Sequence, residues 1–308
     1  MEFQDNNLNI LTKDEIKNCR HKSEKRLYYI LLIINLLIVF GVITLCIINF
    51  NNYYEIINNT NTTINGAIAS HDISVLSGLS INRLPFELKL LILGVSSLIA
   101  FPFIINLMYA KYRSMAIKVT EKNFPEIYEM VKNYSSKLNF KKIPETYIVQ
   151  ANGVLNAFSA FIIRKQYIEI NADLLEIAYR EHQDMKSIGF VIAHELSHIK
   201  YKHATLGYNL SIFYSSALPI LGPTASRARE YSCDRLAQKI TGDNGIDAML
   251  SLSAGKHLYK QIDINDYIES AKNIKGLFVW CNNLVSSHPI LPKRIKALAD
   301  GEGSGDLY

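Results

Sequence analysis

Two long stretches without a charged residue set the terms for this chain. Residues 27–50 and 90–110 carry no Asp, Glu, Lys or Arg over 24 and 21 positions, and a bilayer core of about 30 Å is crossed by about 20 helical residues. Both predict membrane-spanning helices, with boundaries at 27–50 and 86–110. A cleavable signal peptide fits the first less well, because the run exceeds a signal's apolar segment and no A-x-A-like site follows it. Gly94 and Pro102 in the second are tolerated in membrane helices. The spans also explain a mean hydropathy of +0.06 and a hydrophobic content of 49%, which is high for a soluble chain of 308 residues.

Lysine and arginine placement predicts orientation. Six of them lie between Lys13 and Arg26, only Arg83 and Lys89 lie between the runs, and Lys111, Arg113, Lys118 and Lys122 follow the second. The expectation is a multi-pass protein of the cell membrane: a basic cytoplasmic tail over 1–26, an extracytoplasmic loop over 51–85 and everything from 111 onward in the cytoplasm. The net charge of +5 is concentrated beside an apolar run, so it points to the lipid bilayer as partner and not to nucleic acid. Four cysteines, Cys19, Cys46, Cys233 and Cys281, have neither metal-site spacing nor the density of a disulfide scaffold.

Residues 111–300 read as one mixed domain, followed by a flexible tail over 301–308. Pro125 with Ile127, Met130, Val131 and Tyr134 opens a helix. Short β-branched and aromatic runs at 147–149, 156–163 and 167–170, separated by Asn152-Gly153 and Arg164-Lys165, predict strands of one small sheet. From Met185 onward, Ile188, Val191, Ile192, Leu196 and Ile199 recur at helical spacing.

That last helix contains His194-Glu195-Leu196-Ser197-His198. Histidines four apart share a helix face, so both rings reach one metal while the adjacent glutamate addresses its bound water, the arrangement of a zinc hydrolase. A third ligand is then required. Six residues beyond His198, where a metzincin would place its third histidine, stands Ala204. His203 should point away from the metal into solvent. Glu230 is the better candidate, with Asp234 four residues on, on the same helix face, to hold the far nitrogen of a ligand histidine. Cys233 beside them is expected to be a small buried helix residue.

With these residues in view the chain resembles the integral-membrane zinc metallopeptidases of the HtpX and CAAX-prenyl-protease type. The resemblance covers roughly 115–300 and rests on the 194–198 motif, on Glu230 to Asp234, on Asn156-Ala157-Phe158, and on His288-Pro289 with Arg294-Ile295. It implies an α+β fold: two transmembrane helices, then a mainly helical zincin peptidase domain of the gluzincin type with a small β-sheet. It implies one zinc per chain, protein or peptide substrates, Glu195 and His288 as catalytic groups, and Asn156 and Arg294 near substrate. Quality control of membrane proteins is the activity it favours; processing of lipidated or signal-like peptides and a catalytically silent scaffold are the alternatives. One departure stands out: HtpX-type members carry two further membrane helices between the zinc helix and the third ligand, whereas only 31 residues separate His198 from Glu230. The uncharged segment 204–226 should therefore be a packed or interfacial helical hairpin.

Overall fold

The computed structural model describes residues 9–70, 84–162, 165–274, 276–301 and 305–308. Helix α1 (Lys13–Asn18) is followed by α2 (Glu24–Ile48), α3 (Phe50–Ser70) and α4 (Phe86–Met115). Both α2 and α4 are long and apolar enough to cross a membrane, and most of their side chains face outward. Within the expected loop 51–85, residues 51–70 are helical, since α3 continues from α2 after a break at Asn49. Glu87, in the first turn of α4, accepts hydrogen bonds from Tyr53 (2.5 Å) and Asn49 (3.4 Å) and ties the two ends together.

The N-terminal stretch read as a basic tail is built into the body from residue 9 onward. Thr12 and Glu15 form a reciprocal capping box that starts α1. Ile16 and Cys19 are buried in the main core, Tyr201 donates to the Ile16 carbonyl at 2.8 Å, and the Arg20 guanidinium sits 4.1 Å above the Tyr201 ring. At the other end, residues 305–308 are also docked. Buried Arg227 donates to the Leu307 carbonyl at 3.0 Å and Tyr231 to the Asp306 carbonyl at 3.1 Å.

The sheet comprises β1 (Ile117–Lys118), β2 (Glu145–Val149), β3 (Ala157–Ile162) and β4 (Lys165–Asn171), in the order β1-β2-β4-β3. Strand β4 pairs parallel to β2 and antiparallel to β3, which leaves β3 at an edge. Arg164, part of the break expected between β3 and β4, lies outside the described residues. After β4 comes the short helix α6 (Ala172–Glu176), and against the sheet pack α5 (Pro125–Lys137) and α7 (Met185–Tyr201). Ile188, Phe190, Ile192 and Leu196 of α7 are fully buried among Ile127, Val131, Ile168 and Ile170, so α7 is the central helix of the domain. Its start is fixed by Asp184, whose carboxylate accepts from the Ser187 backbone at 3.0 Å.

Between α7 and α9 (Leu221–Thr241) the chain makes a hairpin from the short helix α8 (Leu206–Ser211) and a 3₁₀ turn at Ser215–Ala217. It is packed between α2 and α4. Asn35, a buried polar residue in the middle of α2, accepts from the backbone N–H of Tyr214 at 2.8 Å and of Ser215 at 3.4 Å. Tyr214 in turn donates to the Leu90 carbonyl of α4 at 2.6 Å. The contact depends on Gly94, where a Cβ would lie 2.1 Å from the Tyr214 hydroxyl. A Cβ on Gly222 would meet the Ser216 carbonyl oxygen at 1.9 Å, so only glycine lets α9 return this closely. Helices α10 (Ile246–Leu258), α11 (Ile264–Lys272), α12 (Leu277–Val285) and α13 (Leu291–Asp300) complete the domain.

Candidate metal centre

Helices α7 and α9 lie side by side in the core and bring the two halves of the site together. His194 and His198, one turn apart on α7, place their Nε2 atoms 3.1 Å from each other. Glu230 of α9 reaches between them, with Oε2 3.5 Å from His194 Nε2 and Oε1 3.4 Å from His198 Nε2. Zinc bonded at ~2.0–2.1 Å in a tetrahedron holds its ligand atoms about 3.3 Å apart, so these three atoms have the spacing and the chemistry of a metal-ligand set. Asp234, one turn after Glu230, lies 2.9 Å from His194 Nδ1. A carboxylate there holds a proton on Nδ1 and leaves Nε2 free to ligate.

Arg294 of α13 closes the group from behind. Its Nε and one terminal nitrogen grip Asp234 at 2.6 and 2.7 Å, and the guanidinium stands 3.3 Å from Glu230. The electrostatics follow from this packing. Burial pushes the Asp234 carboxyl upward, but the Arg294 charge and hydrogen bonds outweigh it and hold the group ionised below its ordinary range. Glu230 is likewise kept well below the usual carboxylate pKa, because hydrogen bonds from His194, His198 and His288 overcome its desolvation. On His194, burial opposes a charge and the Asp234 and Glu230 carboxylates override it, raising the imidazole pKa. A buried pocket with two carboxylates facing two imidazoles is built to hold a cation.

A cavity of about 390 Å³ opens over this group. Glu195, His198 and Glu230 line it, as do His288, Arg294, Met249 and the stretch from Asn156 to Ser159 at the start of β3. His288 is largely exposed and its Nδ1 is 3.2 Å from Glu230. Asn156 precedes β3 and turns its side-chain oxygen onto the Ala157 backbone N–H at 2.9 Å. All eight site residues expected from the sequence therefore fall around one cavity or directly behind it. Residues 121–218 and 207–302 match the sequence pattern of Peptidase family M48. The chain belongs to this family. Its members are metallopeptidases, generally of zinc, so this M48 chain is a metallopeptidase that hydrolyses peptide bonds. No curated protein matches the chain.

Two features of the M48 site depart from the sequence reading. His203 is not solvated. Helix α7 ends at Tyr201, and Lys202 in the left-handed conformation (φ 65°) turns the backbone back on itself, so His203 is buried against His198 with Nδ1 atoms 3.1 Å apart. Burial depresses its pKa to about 4, which keeps the ring neutral. The second is Arg294, expected near substrate: it does line the cavity, but its Nε and one terminal nitrogen are turned onto Asp234 and Glu230. Cys233 is fully buried, and desolvation raises its thiol well above the ordinary value.

Proposed function

We propose that this M48 peptidase is a membrane-anchored zinc endopeptidase of the HtpX type, with its active site on the cytoplasmic side and unfolded or membrane-derived polypeptides as substrates. The observation that carries the proposal is the convergence of His194, His198 and Glu230, at ligand spacing, beneath a cavity bordered by an edge strand. Zinc held by these three residues would lower the pKa of a bound water toward 7 and polarise a substrate carbonyl. Glu195, beside it on α7, accepts the water's proton and delivers it to the departing amine. His288, exposed at the cavity rim, is placed to donate to the developing oxyanion. Asp234 and Arg294 hold His194 and Glu230 in position. Purified full-length chain should cleave an unfolded protein, lose that activity to a chelator and regain it with zinc; cleavage insensitive to chelation would sink the proposal.

Substrate backbone would be held by β-augmentation on β3. In an antiparallel pair, residues that exchange ladder bonds alternate with residues whose N–H and C=O point away. The Asn171 N–H donates to the Asn156 carbonyl at 3.0 Å, which makes 156/171 a bonded pair and aims the backbone of Ala157 and Ser159 outward. The Ala157 N–H is already taken by the Asn156 side chain. Of the outward-facing donors, that of Ser159 is the next one along the cavity wall, and Ser159→Pro should slow cleavage of long unfolded substrates about tenfold or more, with zinc content unchanged. Parental rates for this variant would remove β3 from substrate binding.

Membrane anchoring is supported by the outward apolar faces of α2 and α4 and by the hairpin's hydrogen bonds to Asn35, since backbone at membrane depth needs internal partners. After removal of native thiols, a cysteine replacing Asn61 should react with an impermeant reagent in intact cells, and one replacing Ser253 should not. The opposite pattern would invert the orientation.

A further inference from the structure

His194 has Asp234 to fix its tautomer, and His198 needs an equivalent. The structure offers a partner the ligand motif does not contain. His203 Nδ1 is 3.1 Å from His198 Nδ1, and on its far side His203 Nε2 is 3.1 Å from Glu24 Oε1. Glu24 and His203 are both buried, at 4% and 5% exposure. Glu24 opens α2, the first apolar helix. Its carboxylate is held by Arg20 and by the Ser232 hydroxyl of α9, so it is fixed from three directions.

The donors and acceptors allow one consistent assignment for a ligating His198. A neutral imidazole that presents a lone pair at Nε2 carries its proton on Nδ1 and must donate it. His203 can accept at Nδ1 only as the Nε2–H tautomer, and that tautomer needs an acceptor at Nε2, which Glu24 supplies. Cys233 Sγ, 3.7 Å from His203 Nδ1, is a weak partner by comparison. We propose that Glu24 and His203 form a positioning relay that fixes His198 in its ligating tautomer, so that the membrane anchor itself completes the metal centre. Helix α2 then has two roles along its length. Its first turn sets a metal ligand, and Asn35, about 16 Å further along the axis, holds the hairpin that leads into α9.

The relay rests on the reading of His194, His198 and Glu230 as ligands, and the test separates the two. Zinc affinity of the full-length chain in detergent is measured by competition with a chelator, and the visible spectrum of the cobalt-substituted protein reports the ligand field. His203→Gln keeps a nitrogen toward Glu24 and loses the acceptor for His198; His203→Asn keeps an acceptor near His198 and loses the link to Glu24. Glu24→Gln can offer an N–H to His203 Nε2 and so favours the tautomer that sends a proton toward His198. Loss of an outer-shell partner costs about 10–100-fold in metal affinity. We expect that loss, with a changed cobalt spectrum, in His203→Gln and Glu24→Gln, and a smaller loss in His203→Asn. Tyr201→Phe, which removes a neighbouring hydrogen bond outside the relay, should bind as the parent does. Parental affinity and spectrum in both His203→Gln and Glu24→Gln overturn the relay, as does an equal loss in His203→Asn and His203→Gln. If Glu24→Gln does not fold, the two His203 variants decide. If Glu230→Ala also binds zinc at parental affinity, the ligand set fails and not merely the relay.

Discussion

Glu195→Gln should lower peptide cleavage by about 10²–10⁴-fold, the usual contribution of a positioned general base, and leave zinc at about one per chain. The separation follows from geometry. Glu195 lines the cavity one step along α7 from His194, while the atoms proposed as ligands, which converge at ligand spacing, belong to His194, His198 and Glu230. Glutamine keeps the size of the side chain and its place in the wall but cannot take a proton. Paired measurements of turnover and metal content check this. A variant that loses zinc as well as activity would mean that Glu195 supports the ligand set, and one that keeps its activity would remove it from the chemistry.

The largest effect on stability is expected at Arg294. Its guanidinium makes two short bonds to Asp234 and stands beside Glu230, and both carboxylates are at least 95% buried. Removing one partner of a buried ion pair costs about 3–5 kcal/mol, because the charges left behind cannot reach water. For a domain of this size that corresponds to a fall in unfolding temperature of roughly 10 °C. Arg294→Ala should therefore unfold early and hold zinc weakly, and Arg294→Lys, which keeps the charge but not the planar fork, should recover only part of the loss. Thermal unfolding of the three proteins decides between roles. If Arg294→Ala melts with the parent and only its turnover falls, the side chain acts on substrate, as the resemblance to HtpX-type peptidases implies.

Much of the site was legible because its parts are local. The four-residue spacing of His194 and His198, and of Glu230 and Asp234, is a statement about one helix face, and it survives any packing that keeps α7 and α9 helical. The small sheet was legible for the same reason, since β-branched and aromatic runs at 156–163 and 167–170, set off by Asn152-Gly153 and Arg164-Lys165, mark strands wherever they pair. What sequence could not supply was register: only the pairing of Asn156 with Asn171 shows that Ser159, and not Phe158, turns its N–H outward. His203 departs from its expected place because α7 ends at Tyr201 and Lys202 reverses the chain, so helix spacing no longer governs where its ring points. Thr12 and Glu15 carried a capping-box signal for α1, but the lysines and arginines around them read as a tail. Glu24 and Asn35 were hidden in plain composition, one at the border of a basic stretch and the other inside an apolar run. Each gains its meaning only from residues about 180 or more positions away.

The ligand set itself is tested most directly by metal analysis of the full-length chain and its Glu230→Ala variant, purified side by side in the presence of zinc. The geometry predicts close to one zinc per parental chain and close to none in Glu230→Ala, because two histidines on one helix cannot retain the ion through purification without the carboxylate of α9. Glu230→Ala that retains a full equivalent of zinc would contradict the account and require a different third ligand.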